Sequence, residues 1–552
     1  MDHSKVARQP AMLLALVVGT GTGAVQALTF ESGDIRGNFD STVSAGLGLR
    51  AKAPGCDLVI QGASGADAPA GCLAPTSALG DQGNLNYGKH DLFAGYLKGS
   101  HELLLKMPSD FTFLGRVNWV ADGAATRTTG ITSATTPPPP AVTDGLSDDA
   151  RRDLKFKARL LDFWVSKSFQ VGEQQARVRV GNQVISWGES LFLPGGINST
   201  NAMDIMRLSQ PGTQLKEAVL PAPIVSVSAG LGKGWNAEAY VQAAWNASYF
   251  PPSGSYWSVV NGLGKGHDAY GLAEVKPRSG GQWGAALRYQ PEGTQLNLGA
   301  YAMAFHDKTP NFSVNINNTG AVGWTYAQDR RLYGISANFP VGDWAIGTEL
   351  SYRPKDAVAL NAAATGCSSQ NGNCWVDEKR FQWHLTSLLS LTPSTGAGLL
   401  RLLGADTATL LAEAVVIRYP HLKQNYGGDP ISAGGWGWGQ ETDPAGTPVS
   451  VGTKTSAGFN FDFSWVYDGT LIPGWQVVPE VYYFRALSGR TPNASALFMK
   501  GASSANFTVS FIQNPASWQF AVNYGKFWGG SSPFDQPYRD RDYFGAVLSR
   551  NF

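Results

Sequence analysis

A period of two, with an aromatic residue at each end of the run, is the feature that most narrows what this chain can become. The stretch "WNAEAYVQAAW" at 235–245 shows it. Trp235, Ala237, Ala239, Val241, Ala243 and Trp245 share one face of an extended strand, and Asn236, Glu238, Tyr240 and Gln242 share the other, because successive strand side chains point to opposite sides. From Trp235 to Trp245 such a strand would run roughly 33 Å at about 3.3 Å per residue, or roughly 25 Å of height when tilted by about 40°. That is the apolar band of an outer-membrane barrel with an aromatic at each rim.

The pattern recurs. Trp283, Ala285, Leu287 and Tyr289 alternate, as do Trp344, Ile346, Leu350 and Tyr352, and Phe459, Phe461, Phe463, Trp465 and Tyr467. About eighteen such segments begin near 35, 97, 110, 158, 176, 223, 235, 282, 294, 330, 343, 379, 407, 455, 474, 504, 516 and 541, read by periodicity. Short turns such as "MPSD", "VGEQQ", "PEG" and "PVGD" alternate with long connections near 51–96, 122–157, 187–222, 248–281, 307–329, 354–378, 419–454, 486–503 and 528–540. A membrane barrel has this rhythm of short periplasmic turns and longer extracellular loops, and an even strand number returns both termini to the periplasm. A soluble propeller would show a blade-length repeat, and none is visible. The expected fold is therefore all-β: a transmembrane antiparallel barrel of about eighteen strands, forming one domain over 28–552.

Composition agrees. Charged residues make up 15% of the chain, with 17 Trp and 66 Gly, against roughly 25% charge in soluble domains. A net charge of +1 supplies no basic surface for nucleic acid. No apolar run reaches the roughly 18 residues of a spanning helix. The nearest, 396–417, is interrupted by Arg401, Asp406 and Glu413, and its second half reads as a strand. Lys5, Arg8, the apolar Ala11 to Val18 and the small-residue site Val25-Gln26-Ala27 read as a signal peptide, so cleavage after Ala27 is expected, leaving 1–27 behind. In an oxidising compartment the four cysteines pair locally, Cys56 with Cys72 and Cys367 with Cys374, as two loop disulfides. The last stretch, "DYFGAVLSRNF", ends in Phe552 and suits recognition by the barrel-insertion machinery. The barrel's other partners are outer-membrane lipid and lipopolysaccharide, in a Gram-negative cell.

Little in the chain resembles catalysis. A GxSxG elbow is absent. His101-Glu102 lacks the second His of a zinc-protease helix. His384, between Trp383 and Leu385, points into the lumen and reads as a satisfied or wet histidine. No metal site and no cofactor are expected. Alternation also assigns Arg177, Arg179, Gln183, Glu238, Gln242, Arg288, Glu349, Arg353, Glu413, Asp462 and Glu480 to the lumen. Lys or Arg at mid-depth on the lipid face would cost about 2–4 kcal/mol each. These charges either brace the lumen through ion pairs or line a selective pore.

The connection at 187–222 differs from an ordinary exposed loop. It opens with "SWGES" and continues through "GGINSTNAMDIMRLSQPGTQLKEAVLP". Asn201 is placed to cap a short helix, "AMDIMRLS", with Met203, Met206 and Leu208; Pro211-Gly212 stops it, and "TQLKEAVL" suits a further helical turn. A loop with its own apolar helix needs something to pack on, and a wide barrel leaves room inside. Inward folding is expected. Trp187 would anchor the loop and Gly188 bend it; Glu189, Asp204, Arg207 and Glu217 would brace it or set charge preference.

The run "VRVGNQVISWGESLF", with "GGIN" and "MDIMRLSQPGTQLKEAVLP" after it, resembles the core motif of the proteobacterial family labelled domain of unknown function 1302. The match rests on Gly181, Gln183, Trp187, Gly188, Glu189, Asn198, Asp204, Arg207, Pro211, Gly212, Lys216, Glu217 and Pro221. The resemblance implies an outer-membrane barrel without a settled role. It also implies a genetic neighbourhood containing a lipoprotein-sorting-like protein and a resistance-nodulation-division-type exporter. The functional expectation is an outer-membrane channel or envelope transport component for small organic molecules, apolar ones among them, gated or narrowed by loop 187–222. The alternative is a non-conducting docking barrel partnered by an exporter or lipoprotein system. A lipid-modifying enzyme is the weakest reading, since no triad is visible.

Overall fold

The computed structural model describes residues 28–55, 58, 82–128, 145–209, 215–433, 451–530 and 535–552. The expected signal peptide, the pair Cys56 and Cys72, and Pro211-Gly212 lie outside the described residues.

Nineteen strands pair into one sheet. One of them, Leu28–Ser32, is only an arm folded back on the next strand. The remaining eighteen run round a ring in chain order: β1 (Ile35–Arg50), β2 (Leu92–Met107), β3 (Phe111–Asp122), β4 (Phe156–Val171), β5 (Gln174–Gln183), β6 (Ala222–Gly232), β7 (Trp235–Gln242), β8 (Gln282–Tyr289) and β9 (Asn297–Phe305), then β10 (Arg330–Val341), β11 (Trp344–Ala359), β12 (Trp375–Leu391), β13 (Thr407–Arg418), β14 (Thr455–Ile472), β15 (Trp475–Ser488), β16 (Ala502–Gln513), β17 (Trp518–Gly529) and β18 (Tyr543–Asn551). β1 pairs with β2 along one side and with β18 along the other, placing Arg50 opposite Tyr543 and Thr42 opposite Asn551. The sheet is closed. Closure leaves no row of unpaired backbone groups, which hydrocarbon would penalise.

The two faces differ as the alternation requires. On β12, Phe381, Trp383 and Leu385 are exposed while Arg380, Gln382 and His384 are buried. On β8, Trp283 and Leu287 are exposed and Gln282 and Ala286 are buried. Tyr333 and Ile335 continue the outer belt on β10. A belt of this size on a water-facing protein would drive association; around a closed sheet it is the surface that meets lipid. The chain is thus a multi-pass β-barrel of the Gram-negative outer membrane.

Two differences from the sequence reading have physical causes. β7 ends at Gln242, so Trp245 is not a rim aromatic. Its indole N–H donates to the Asp307 carbonyl at 3.2 Å, and its ring packs 4.6 Å from Tyr326. Alternation ran past the strand end because Trp245 is apolar for another loop rather than for lipid. The connection between β12 and β13 stands on the short-turn side, yet it carries a helix, Ala397–Leu403. On the opposite side the loops pack together over the mouth. Phe250, Leu263, Phe312, Trp324, Leu360 and Phe498 share one buried cluster, which also contains the Cys367–Cys374 disulfide.

Ile335 is 60% exposed near the middle of β10. Ile335→Arg is expected to lower the barrel's unfolding free energy by about 2–4 kcal/mol, read by denaturant titration in lipid vesicles. An unchanged midpoint would place that face away from lipid.

Candidate functional site

The chain leaves β5 at Gln183, whose amide N–H donates to the Ile224 carbonyl at 2.9 Å. It turns inward at once. Ile185 and Trp187 are buried against Ile224, Tyr240, Ala286 and Tyr301, inward-facing residues of β6 to β9. The Trp187 indole N–H donates to Glu238 Oε2 at 2.9 Å, and its ring lies 5.2 Å from Tyr240 and 5.8 Å from Tyr301. A buried Trp needs such an acceptor for its single polar atom. Gly188 follows at φ +88°, and a Cβ there would fall on the Glu349 carboxylate.

The next leg is held by two carboxylates on the far wall. Glu349 on β11 accepts from the Glu189 backbone N–H at 2.6 Å and from the Ile197 N–H at 2.9 Å. Glu413 on β13 accepts from the Phe192 and Leu193 N–H groups at 2.7 and 2.9 Å. Its other oxygen lies 2.7 Å from His384 Nδ1 on β12. The Gln382 amide nitrogen is 2.7 Å from His384 Nε2 and donates to the Pro194 carbonyl at 3.0 Å. Arg380 donates to the Gly195 carbonyl. Each of these bonds solves a problem for both partners. The loop amides have no strand to pair with, and the carboxylates, 1% exposed, have lost water. Bonds to charged groups contribute about 1.5–3 kcal/mol each. Glu189 closes the leg sideways, accepting from Asn338 at 3.0 Å and Ser336 at 3.3 Å on β10.

The return leg is tied to the opposite wall. Asp204 pairs with Arg159 on β4, and its carboxylate caps the following helix by accepting from the Arg207 N–H at 2.8 Å. That helix is Ile205–Ser209. The expected capping residue, Asn201, instead exchanges two bonds with the Ile185 backbone. It is needed there to close the loop's neck, and Ala202–Met203 is drawn into a short ladder with Val219–Leu220. Glu217, in the turn Leu215–Ala218, pairs with Lys98 on β2 at 3.1 Å, both buried. Arg207 is buried, and Met206 packs between two inner clusters. Trp187 is thus buried and Met206 half-buried, Leu208 is half exposed, and Met203 and Asn198 line a cavity of ≈ 340 Å³.

That cavity lies between the loop and the wall. Ile185, Phe192 and Phe250 give it an apolar side. Its charged side is Asp307, Lys308, Arg353, Asp356 and Arg380. Asp356 accepts from Arg353 at 3.0 Å, Arg380 at 3.3 Å, Tyr419 at 2.6 Å and Asn493 at 3.0 Å. Burial pushes the Asp307 carboxyl up to about 6 and the Lys308 ammonium down to about 7.

The other residues assigned to the lumen sit on the inward face without touching the loop's far leg. Arg177 and Arg179 lie over the inward Trp164 ring at 5.5 and 4.4 Å. Glu238 pairs with Arg288 at 3.5 Å, and Gln242 donates to the Ala244 carbonyl at 2.7 Å. Asp462 and Glu480 are half-buried on β14 and β15. Sequence reasoning missed Lys98, Arg159, Arg380 and Gln382. The last two share His384's face two and four positions away, so alternation contained them. It also missed a second inward loop. Residues 250–261 are all buried, Tyr256 stacks on Phe93 at 3.8 Å, and Tyr538 donates to the Trp257 carbonyl at 2.8 Å. The aromatic run "SYWSVV" was the available signal.

A family model described as "Protein of unknown function (DUF1302)" matches residues 8–552. No curated protein matches the chain. Among solved structures, Acinetobacter baumannii OccAB1 is 10% identical, with 94% of this chain and 96% of that one covered and a TM-score of 0.41. Pseudomonas aeruginosa OpdK with vanillate is 10% identical, covering 94% and 98%, TM-score 0.41. Salmonella typhi OmpF with daunomycin is 8% identical, covering 95% and 100%, TM-score 0.37. The strand count and closure stand on this chain's own pairing.

A Cβ added at Gly196 would fall on the Glu349 carboxylate and within 2.9 Å of His384 Nε2. Gly196→Ala is therefore expected to lift the loop from the wall. In the folded barrel, chymotrypsin should then cut near Phe192, with fragments mapped by mass spectrometry, where the parent resists. Equal resistance would contradict the packing.

Proposed function

This chain belongs to DUF1302, a protein family of unknown function, and from its own geometry we propose that it is an outer-membrane channel for small organic molecules, narrowed by loop 187–222. One observation carries the reading. The loop's outgoing leg is bound to β11, β12 and β13, and its return leg to β2 and β4. In a ring of eighteen strands, β12 lies eight positions from β4 in one direction and eight from β2 in the other, so the two sets of contacts face each other across the ring. A segment fixed to both has to cross the lumen. Beside it lies the ≈ 340 Å³ cavity, apolar on one side and charged on the other. Such a lining suits small organic solutes with an apolar body and a polar group.

Planar-bilayer recording tests the proposal. The full chain should give small, well-defined steps, and replacing 189–201 by a short Gly-Ser linker should raise conductance several-fold. Steps of unchanged size would remove the loop as the constriction. The second reading, a barrel that does not conduct, is favoured by the buried segment 250–261 at the mouth; it predicts no steps from either protein.

The cavity's charge should also follow pH. As pH falls from 8 to 5, Lys308 gains its proton near 7 and Asp307 loses its negative charge near 6. Both changes add positive charge. The reversal potential in a salt gradient is expected to move toward anion preference on acidification. A shift toward cations, or none, would contradict the assignment of these groups to the conducting path.

A further inference from the structure

The connection between β12 and β13 lies on the same side of the barrel as both termini. Its helix, Ala397–Leu403, ends at Gly404 (φ +65°), and the Ala405 N–H closes back on the Leu400 carbonyl at 3.0 Å, an ordinary glycine-terminated stop. The informative point is where the helix rests. Leu400 is buried against Leu391 and Ala408, with Phe463 and Trp465 packed beside them.

Those wall residues face outward. Leu391 is on the face of exposed Phe381, Trp383 and Leu385. Ala408 is on the face opposite the inward Glu413, and it pairs across the ladder with Trp465, as Leu410 does with Phe463. The helix therefore lies against the outside of the barrel at its periplasmic rim. It is fixed there by a polar contact. The Tyr467 hydroxyl donates to the Leu403 carbonyl at 2.7 Å and accepts from the Trp465 indole N–H at 3.2 Å. Asp406 accepts from the Asp468 N–H at 2.7 Å. A helix end without such an acceptor's partner would leave carbonyls unsatisfied near lipid.

The face turned away from the barrel is apolar. Leu402 is 82% exposed, the highest value for any large apolar side chain among the described residues, and Leu399 is 41% exposed. Arg401 lies between them, exposed. We propose that this helix is an interfacial anchor in the periplasmic leaflet. Leu399 and Leu402 enter the acyl chains of its phospholipids, and Arg401 reaches back to the phosphate level. The occupant follows from continuity. The helix prolongs a wall that already meets hydrocarbon, and it sits beside the rim aromatics Trp465 and Tyr467, the level at which a bilayer changes from acyl chain to headgroup. The inference rests on the outer-membrane placement of the barrel and is independent of whether the lumen conducts.

Photocrosslinking from the full-length protein in growing cells tests it. A p-benzoylphenylalanine residue placed at Leu402 should yield an adduct with the mass of a membrane phospholipid, several-fold more than the same residue at Ser394, exposed in the same connection. Heat-modifiable migration establishes that each protein is folded, and Leu399 serves as the position if 402 does not give a folded barrel. A protein adduct would mean that the helix docks a periplasmic partner, and a lipid yield equal to that at Ser394 would mean that it faces water. Either result overturns the proposal.

Discussion

Hydrocarbon offers no hydrogen bonds, and the rest of this molecule depends on that constraint. Every backbone N–H and C=O at membrane depth has to find a partner in the protein. Eighteen antiparallel strands achieve this only by closing, with β18 meeting β1 from Arg50 to Thr42. Closure divides each strand into an outer and an inner face. The outer face carries Trp283, Ile335 and Trp383; the inner face collects Glu238, Glu349, His384 and Glu413. A lumen lined in this way contains many acceptors, and a loop that enters it must bring donors.

Loop 187–222 does so with its main chain. Four of its amides, at Glu189, Phe192, Leu193 and Ile197, point at two buried carboxylates. Neither partner is stable alone: an unpaired buried amide and an unpaired buried carboxylate both carry desolvation penalties. Gly188 and Gly196 are the positions where this approach is closest, since a Cβ at either would occupy the Glu349 oxygens. The return leg uses side chains instead, Asp204 to Arg159 and Glu217 to Lys98. The loop and the two walls it joins form one hydrogen-bonded unit.

Much of the fold was legible because strand alternation is a local signal. The expected start of every strand lies within five residues of the observed one, from 35 for Ile35 to 541 for Tyr543. The signal failed where apolar character served a different purpose, as at Trp245, which packs on Tyr326. Glu349, His384 and Glu413 could each be placed on the inward face, but they lie on three strands and meet only through register, Glu349 opposite His384 and His384 opposite Val415. Nothing local in the sequence reveals that Glu413 receives Phe192. The choice of Asp204 over Asn201 as helix cap was hidden for the same reason, because Asn201 is held by Ile185 across the loop's neck. The helix Ala397–Leu403 was hidden too. Its leucines read equally as a buried core or a lipid contact until the wall beneath them is known.

The most direct test of the account is amide hydrogen exchange on the full-length barrel in lipid nanodiscs. The Glu189, Phe192, Leu193 and Ile197 amides belong to no strand, yet each is bonded to a buried carboxylate. They are expected to exchange as slowly as strand amides, and Glu413→Ala should release Phe192 and Leu193. Exchange at the rate of an open loop in the parent protein would show that the segment does not bind the wall, contradicting the account.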